Sequence, residues 1–321
     1  MRKSRIAVAV AIGVAIFAPM MDAKAWGQST KAEAHTTAAH AATPTTENSR
    51  FSVEVIGEGP DVILIPGLST PRAVWQPTAD ALKARYRVHL VQVKGFGEPA
   101  GPNASGPLLD PLVDDLVTYI DASKLKKPAI IGHSMGGLAA LMVGARAPDL
   151  PGKIMVVDAV PFIGTIFNPA ATVDMVRPQA EGMKQMMLKA AAAQSQTQGT
   201  AQGNKASVND AAVGNMSNTP EGRAQIATWM QAADARVVAQ AFYDDMVTDM
   251  RSELGKIKAP ITLLYAQDDR AMTPERATAA FVPQYKGAAL FTPVMVPGSF
   301  HFIMLDQPER FAKEVEAFLK R

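Results

Sequence analysis

The chain has no cysteine among its 321 residues. Disulfides, thiolate nucleophiles and cysteine-ligated metal sites are therefore excluded. It has little excess charge, with 32 basic against 30 acidic side chains. That balance offers no basic face for nucleic acid, and none is expected as a partner. Histidine is scarce, with five in all, which makes a catalytic base easier to find by elimination. Membrane-length apolar segments are also missing. The longest apolar run, Ile6 to Ala18, is shorter than the roughly 20 residues that cross a bilayer.

That run has its own grammar. Arg2, Lys3 and Arg5 precede it, and Ala23-Lys24-Ala25 follows it. A basic start, an apolar stretch and an A-x-A site read as a cleavable signal peptide over residues 1–25. The expected location is periplasmic or secreted, with no stable membrane anchor after cleavage. With no cysteine available, a lipidated N-terminus is excluded. Removing Arg2, Lys3, Arg5 and Lys24 together with Asp22 turns the whole-chain charge of +2 into −1. Residues 26–50, rich in Ala, Thr, Ser and Gln without apolar periodicity, read as a disordered linker.

From Phe51 onward, with 48 % hydrophobic residues in the whole chain, there is material for a large core. Phe51–Ile56 alternates as a strand does, and Asp61–Ile65, Tyr86–Val93, Pro128–Gly132, Lys153–Asp158, Pro260–Tyr265 and Leu290–Val296 read as further strands. Helical patterns lie between them, over Trp75–Arg85, Leu108–Ser123, the stretch up to Arg146, and Pro308–Leu319. Strands alternating with helices predict an α/β fold, a mostly parallel sheet with helices on both faces. The rhythm breaks over 160–254. That segment holds eight methionines, no convincing strand and a low-complexity piece, Ala190 to Asn204. It is expected to be a helical cap inserted between core segments 51–159 and 255–321.

The chemistry begins at Gly132-His133-Ser134-Met135-Gly136, a G-x-S-x-G between a predicted strand and a predicted helix. A serine on so sharp a turn needs neighbours without side chains, and Gly132 and Gly136 meet that need. The turn aims the Met135 N–H at a developing oxyanion. Serine needs a base. His35 and His40 fall in the linker, His89 lies within a strand, and His133 should point away from the hydroxyl. His301, after the last strand, is the remaining candidate. The acid that orients it should follow a strand too. Asp269 is the first choice, with Asp268 and Asp158 as alternatives. Pro66-Gly67-Leu68, after the second strand, is expected to supply the second oxyanion donor through the Leu68 N–H.

Ile65-Pro66-Gly67-Leu68, Gly95-Phe96-Gly97, Gly132 to Gly137, Ala266-Gln267-Asp268-Asp269 and His301 through Asp306-Gln307-Pro308 together resemble the α/β-hydrolase superfamily. The resemblance covers nearly all of 51–321. It implies a sheet of eight strands, a helical cap after the sixth, triad roles for Ser134, Asp269 and His301, and an oxyanion hole at Leu68 and Met135. Three positions depart from the family pattern. Ala266 stands for a usual Gly, Gln92-Val93-Lys94 for Asp-x-Arg, and Pro66 for a frequent His. The expected activity is hydrolysis of small to medium apolar acyl esters, a small-molecule substrate handled through an acyl-serine, with no cofactor and no metal. A carbon–carbon bond hydrolase or cofactor-free perhydrolase would use the same residues. A non-catalytic ligand-binding protein would keep the fold alone. A dehalogenase would need an aspartate at position 134.

Overall fold

The computed structural model describes residues 49–197, 213–214 and 216–321. The expected signal peptide, nearly all of the linker and part of the low-complexity piece lie outside the described residues. Ala190–Thr197 of that piece lies inside a helix.

Seven strands form one sheet: β1 (Phe51–Ile56), β2 (Asp61–Ile65), β3 (Arg87–Val93), β4 (Ala129–His133), β5 (Lys153–Val157), β6 (Ile261–Gln267) and β7 (Phe291–Pro297). Their order is β1-β3-β2-β4-β5-β6-β7. All neighbours are parallel except β1, which runs antiparallel to β3. The seven correspond to those read from residue patterns. The eighth strand, implied by the resemblance, is not found among the described residues.

Strands β2 to β6 are buried on both faces, which explains their near-continuous apolar runs, while the edge strands β1 and β7 are partly exposed. Alternate residues serve opposite sides. Ile63, Ile65, Ile130, Ile154 and Val156 join one cluster with α2 (Leu109–Ala122) and α3 (Met135–Arg146). Val62, Leu64, Ile131, Met155 and Val157 join the other, with α1 (Gln76–Leu82). On that second side, Trp75 stacks on Phe311 at 6.1 Å between ring centres.

Between β5 and β6 the described residues hold helices and no strand: α4 (Gly164–Phe167), α5 (Val173–Thr197), α6 (Pro220–Ala232) and α7 (Ala235–Val247). Asp244 on α7 accepts the Leu108 and Leu109 N–H groups at the start of α2 (2.6 and 3.0 Å). One carboxylate thus satisfies two helix-end donors that would otherwise lack partners and ties the helical segment to the core. After β6 come α8 (Pro274–Phe281), β7, α9 (Ile303–Asp306) and the amphipathic α10 (Pro308–Lys320).

The strand order reverses direction at β2, with β3 on one side and β4 on the other. In open α/β sheets, ligands bind at the carboxyl edge of such a switch point. The loops bearing Leu68 and Ser134 flank it.

Candidate active site

Ser134 follows β4 with φ 54° and ψ −126°, a conformation that side chains rarely adopt. Such strain persists where the surroundings over-determine it. The Ser134 N–H donates to the Val157 carbonyl (2.9 Å), and its own carbonyl accepts from Gly137 and Leu138 (2.7 and 3.1 Å). The two glycines are required by space. A Cβ on Gly132 would lie 2.1 Å from the Gly136 carbonyl oxygen, and one on Gly136 would lie 2.4 Å from that of Ile65. Gly132→Ala is therefore expected to cost about 3 kcal/mol or more, measured as a lower midpoint in urea unfolding.

The loop after β2 comes close to this turn. A methyl on Gly67 would sit 3.0 Å from Ser134 Cβ. Thr70 N–H closes a turn onto the Gly67 carbonyl (3.2 Å), with Ser69 at φ 57°, the third-position signature of a type II turn. Among the described residues, neither the Leu68 nor the Met135 N–H donates to a protein acceptor. Two free N–H groups on loops flanking one serine are what an oxyanion hole needs. Gln92 braces this loop: it accepts the Arg72 N–H (2.9 Å) and donates to the Phe96 carbonyl. Its role in place of the usual aspartate is structural.

His301 follows β7 and is buried. Its Nδ1 donates to Asp158 Oδ2 at 2.7 Å. A carboxylate can only accept, so Nδ1 carries the proton and Nε2 is left as an acceptor. Asp158 directly follows β5 at φ 50°. Its other oxygen accepts the Ala266 N–H (2.8 Å). The partner of His301 is therefore Asp158. This corrects the first choice, Asp269, and the alternative Asp268. Asp269 is exposed and accepts from the Gln267 amide (2.8 Å). Asp268 folds back on its own turn, accepting the Arg270 N–H and pairing with its guanidinium (3.0 and 2.7 Å). The loop after β6 spends both carboxylates locally.

Two further groups hold the histidine loop. His133 Nε2 donates to the His301 carbonyl (3.0 Å). Burial, then the proximity of His301, holds the His133 imidazole well below its ordinary pKa, so it stays neutral. Asp306 accepts from the Phe300 N–H (2.7 Å) and, from the helical segment, from the Ser217 hydroxyl (2.6 Å) and the Asn218 N–H (3.1 Å). The Asp306 position was visible in the His301-to-Pro308 resemblance, but its link to Ser217 and Asn218 was not.

Asp245, on α7, had no signal in the sequence. It lies within electrostatic reach of His301. Burial, opposed by His301 and reinforced by Asp244, pushes its carboxyl up to about 7. Its unfolded value is near 3.8, so between these values the folded state binds more protons than the unfolded one. Stability from this group is then lost as pH rises from about 4 to 7. Asp245→Asn should be more stable than the parent by about 2–4 kcal/mol at pH 8 and equal to it near pH 4, measured by urea unfolding at both pH values.

The cap methionines divide. Met246 and Met250 are core. Met175 and Met186 are exposed. Met183 and Met187 pack against a cluster of Phe162, Val176 and Phe242, which also meets Leu68. Among the described residues no cluster of His, Asp and Glu could hold a metal ion.

A model of the alpha/beta hydrolase family matches residues 62–314. The chain belongs to that family. It is 35 % identical over 105 residues to a pimeloyl-[acyl-carrier protein] methyl ester esterase of Aliivibrio salmonicida. That stretch is 33 % of this chain and 38 % of the esterase, so the likeness spans well under half of the relative. Among solved structures, an enol-lactonase from Burkholderia xenovorans superposes with a TM-score of 0.63 at 20 % identity, over 84 % of this chain and 96 % of that one. An esterase from Exiguobacterium antarcticum superposes with a TM-score of 0.65 at the same identity and coverage. At such identity these structures speak for the fold.

Proposed function

We propose that this alpha/beta hydrolase is an exported serine esterase that cleaves small to medium apolar acyl esters through an acyl-Ser134 intermediate. The observation that carries the reading is the convergence of a strained Ser134, a His301 held by Asp158 in the tautomer that leaves Nε2 free, and two unpaired N–H groups at Leu68 and Met135. Ser134 Oγ attacks the ester carbonyl as His301 Nε2 takes its proton. The Leu68 and Met135 N–H groups hold the oxyanion. Asp158 steadies the imidazolium without itself taking the proton. His301 then protonates the leaving alcohol, and a water activated in the same way releases the acid. The apolar cluster of Phe162, Phe242, Met183 and Met187 beside Leu68 supports an apolar acyl side. Export rests on the leader pattern of residues 1–25; among the described residues no helix is long and apolar enough to cross a membrane.

The test is a panel of p-nitrophenyl esters from two to twelve acyl carbons, with a fluorophosphonate probe for Ser134. Turnover with Ser134 labelled supports the reading, and silence on every ester with no labelling overturns it. One variant removes an oxyanion-hole donor, together with the Leu68 side chain beside the apolar cluster. Proline suits the second position of a type II turn, so Leu68→Pro deletes the Leu68 N–H in a compatible backbone. It is expected to lower kcat about 100–1,000-fold, read as initial rate on the preferred ester.

A further inference from the structure

The β7 ladder ends at Pro297, paired with Gln267. The loop that carries His301 therefore leaves the sheet, and its backbone groups need other partners. They find them on two sides in alternation. Ser299 and His301 are held from the core: the Ser299 N–H donates to the Gln267 carbonyl (3.1 Å), and the His301 carbonyl accepts from His133. Gly298, Phe300 and Phe302 are held from the segment that leads into α6. The Asn218 side-chain amide donates to the Gly298 carbonyl, which also accepts from Gln307 (2.7 Å). The Phe302 N–H donates to the Met216 carbonyl (2.8 Å). The Phe300 N–H reaches Ser217 and Asn218 through Asp306, which accepts from all three. Ser217 is fully buried. The Phe302 ring completes the connection, with its centre 6.2 Å from that of Trp229 on α6 and 5.5 Å from that of the His301 imidazole.

The bond to Asp158 fixes the imidazole at Nδ1. The nitrogen that must meet the Ser134 hydroxyl is Nε2, on the far side of the ring, and its place follows the tilt of the loop. We propose that Ser217, Asn218 and Asp306 are positioning residues that set this tilt, so that the helical segment between β5 and β6 holds the catalytic base in reach of Ser134. This rests on the serine esterase reading and deepens it, because the same segment that brings apolar side chains beside Leu68 then also governs proton transfer. Proton transfer along a hydrogen bond tolerates little displacement, and a misplacement of about 1 Å costs roughly 100-fold in rate.

The test combines Ser217→Ala with Asn218→Ala, assayed well below the unfolding midpoint. On the preferred p-nitrophenyl ester kcat is expected to fall about 10–100-fold with KM within about twofold, the pattern of an interaction used in the transition state. Fluorophosphonate labelling of Ser134, which needs the same base, should slow by a like factor. Placed in a His301→Ala background, the two substitutions should cost nothing further, because residues that act through the imidazole have nothing left to position. Asp306→Asn keeps the volume but turns a donor toward groups that themselves donate, and it should reproduce the kcat loss if the first variant does not fold. An unchanged kcat, a rise in KM alone, or the same loss with and without His301 overturns the assignment. A wild type that neither turns over esters nor takes the probe overturns the serine reading and this inference together, whereas an active, labelled wild type with unaffected variants overturns this inference alone.

Discussion

Replacing Ser134 by alanine is expected to lower kcat on the preferred p-nitrophenyl ester by about a million-fold, and His301→Ala by a similar factor. The double variant should be no worse than either single one. The serine hydroxyl and the imidazole act as a unit: without the base the hydroxyl is not nucleophilic, and without the hydroxyl the base has no proton to take. A residual rate of about 1,000-fold over water should survive in both, supplied by the Leu68 and Met135 N–H groups and by substrate binding. The Ser134→Ala fold should be intact. The Ser134 hydroxyl has no hydrogen-bond partner among the described residues, and the backbone bonds that hold the turn, to Val157, Gly137 and Leu138, do not involve the side chain. Equal unfolding midpoints for variant and parent, with the activity lost, would be the expected pair of results. Roughly additive losses in the double variant would mean that the two residues do not cooperate in one step.

The parts of this site that sequence made legible are those set by short-range geometry. A serine flanked by Gly132 and Gly136 can be read because the turn excludes any Cβ there, down to 2.1 Å from a carbonyl oxygen. The strands were legible because a sheet buried on both faces needs apolar runs, and Val62 to Ile65 is one. His301 followed from elimination among five histidines. What long-range packing decides was less visible. The acid lies 143 residues from His301 in the chain, and three aspartates each follow a strand. Choosing among them needed the direction each loop takes. The loop after β6 turns outward and leaves Asp269 exposed, whereas β5, one strand nearer the serine in the sheet, ends in a left-handed residue that turns its carboxylate toward the imidazole. Asp245 was invisible for a related reason. Asp244 and Asp245 are adjacent and identical, and only the packing of α7 makes one a helix-end partner for Leu108 and leaves the other buried with its carboxyl pushed up.

The position of the acid leads to the sharpest discrimination between aspartates. Asp158→Asn is expected to reduce kcat by about 10,000-fold, while Asp269→Asn should stay within about threefold of the parent. The argument turns on a proton. The Asp158 carboxylate accepts from His301 Nδ1 at 2.7 Å and from the Ala266 N–H at 2.8 Å, so both its oxygens must be acceptors. An asparagine can satisfy the Ala266 N–H with its carbonyl oxygen, which leaves its NH₂ facing the imidazole. That donor favours the tautomer with the proton on Nε2, the nitrogen that must receive the serine proton. The charge that steadied the imidazolium is lost as well. Asp269 is exposed, and its recorded side-chain bond is to Gln267, so removing its charge touches neither effect. A pH–rate profile distinguishes this from simple loosening of the loop. In Asp158→Asn the residual rate should rise further into alkaline solution than in the parent, because the imidazole no longer organises the proton transfer and hydroxide takes over as base. If Asp269→Asn carried the large loss and Asp158→Asn the small one, the hydrogen bond between His301 and Asp158 would not be the one used in catalysis.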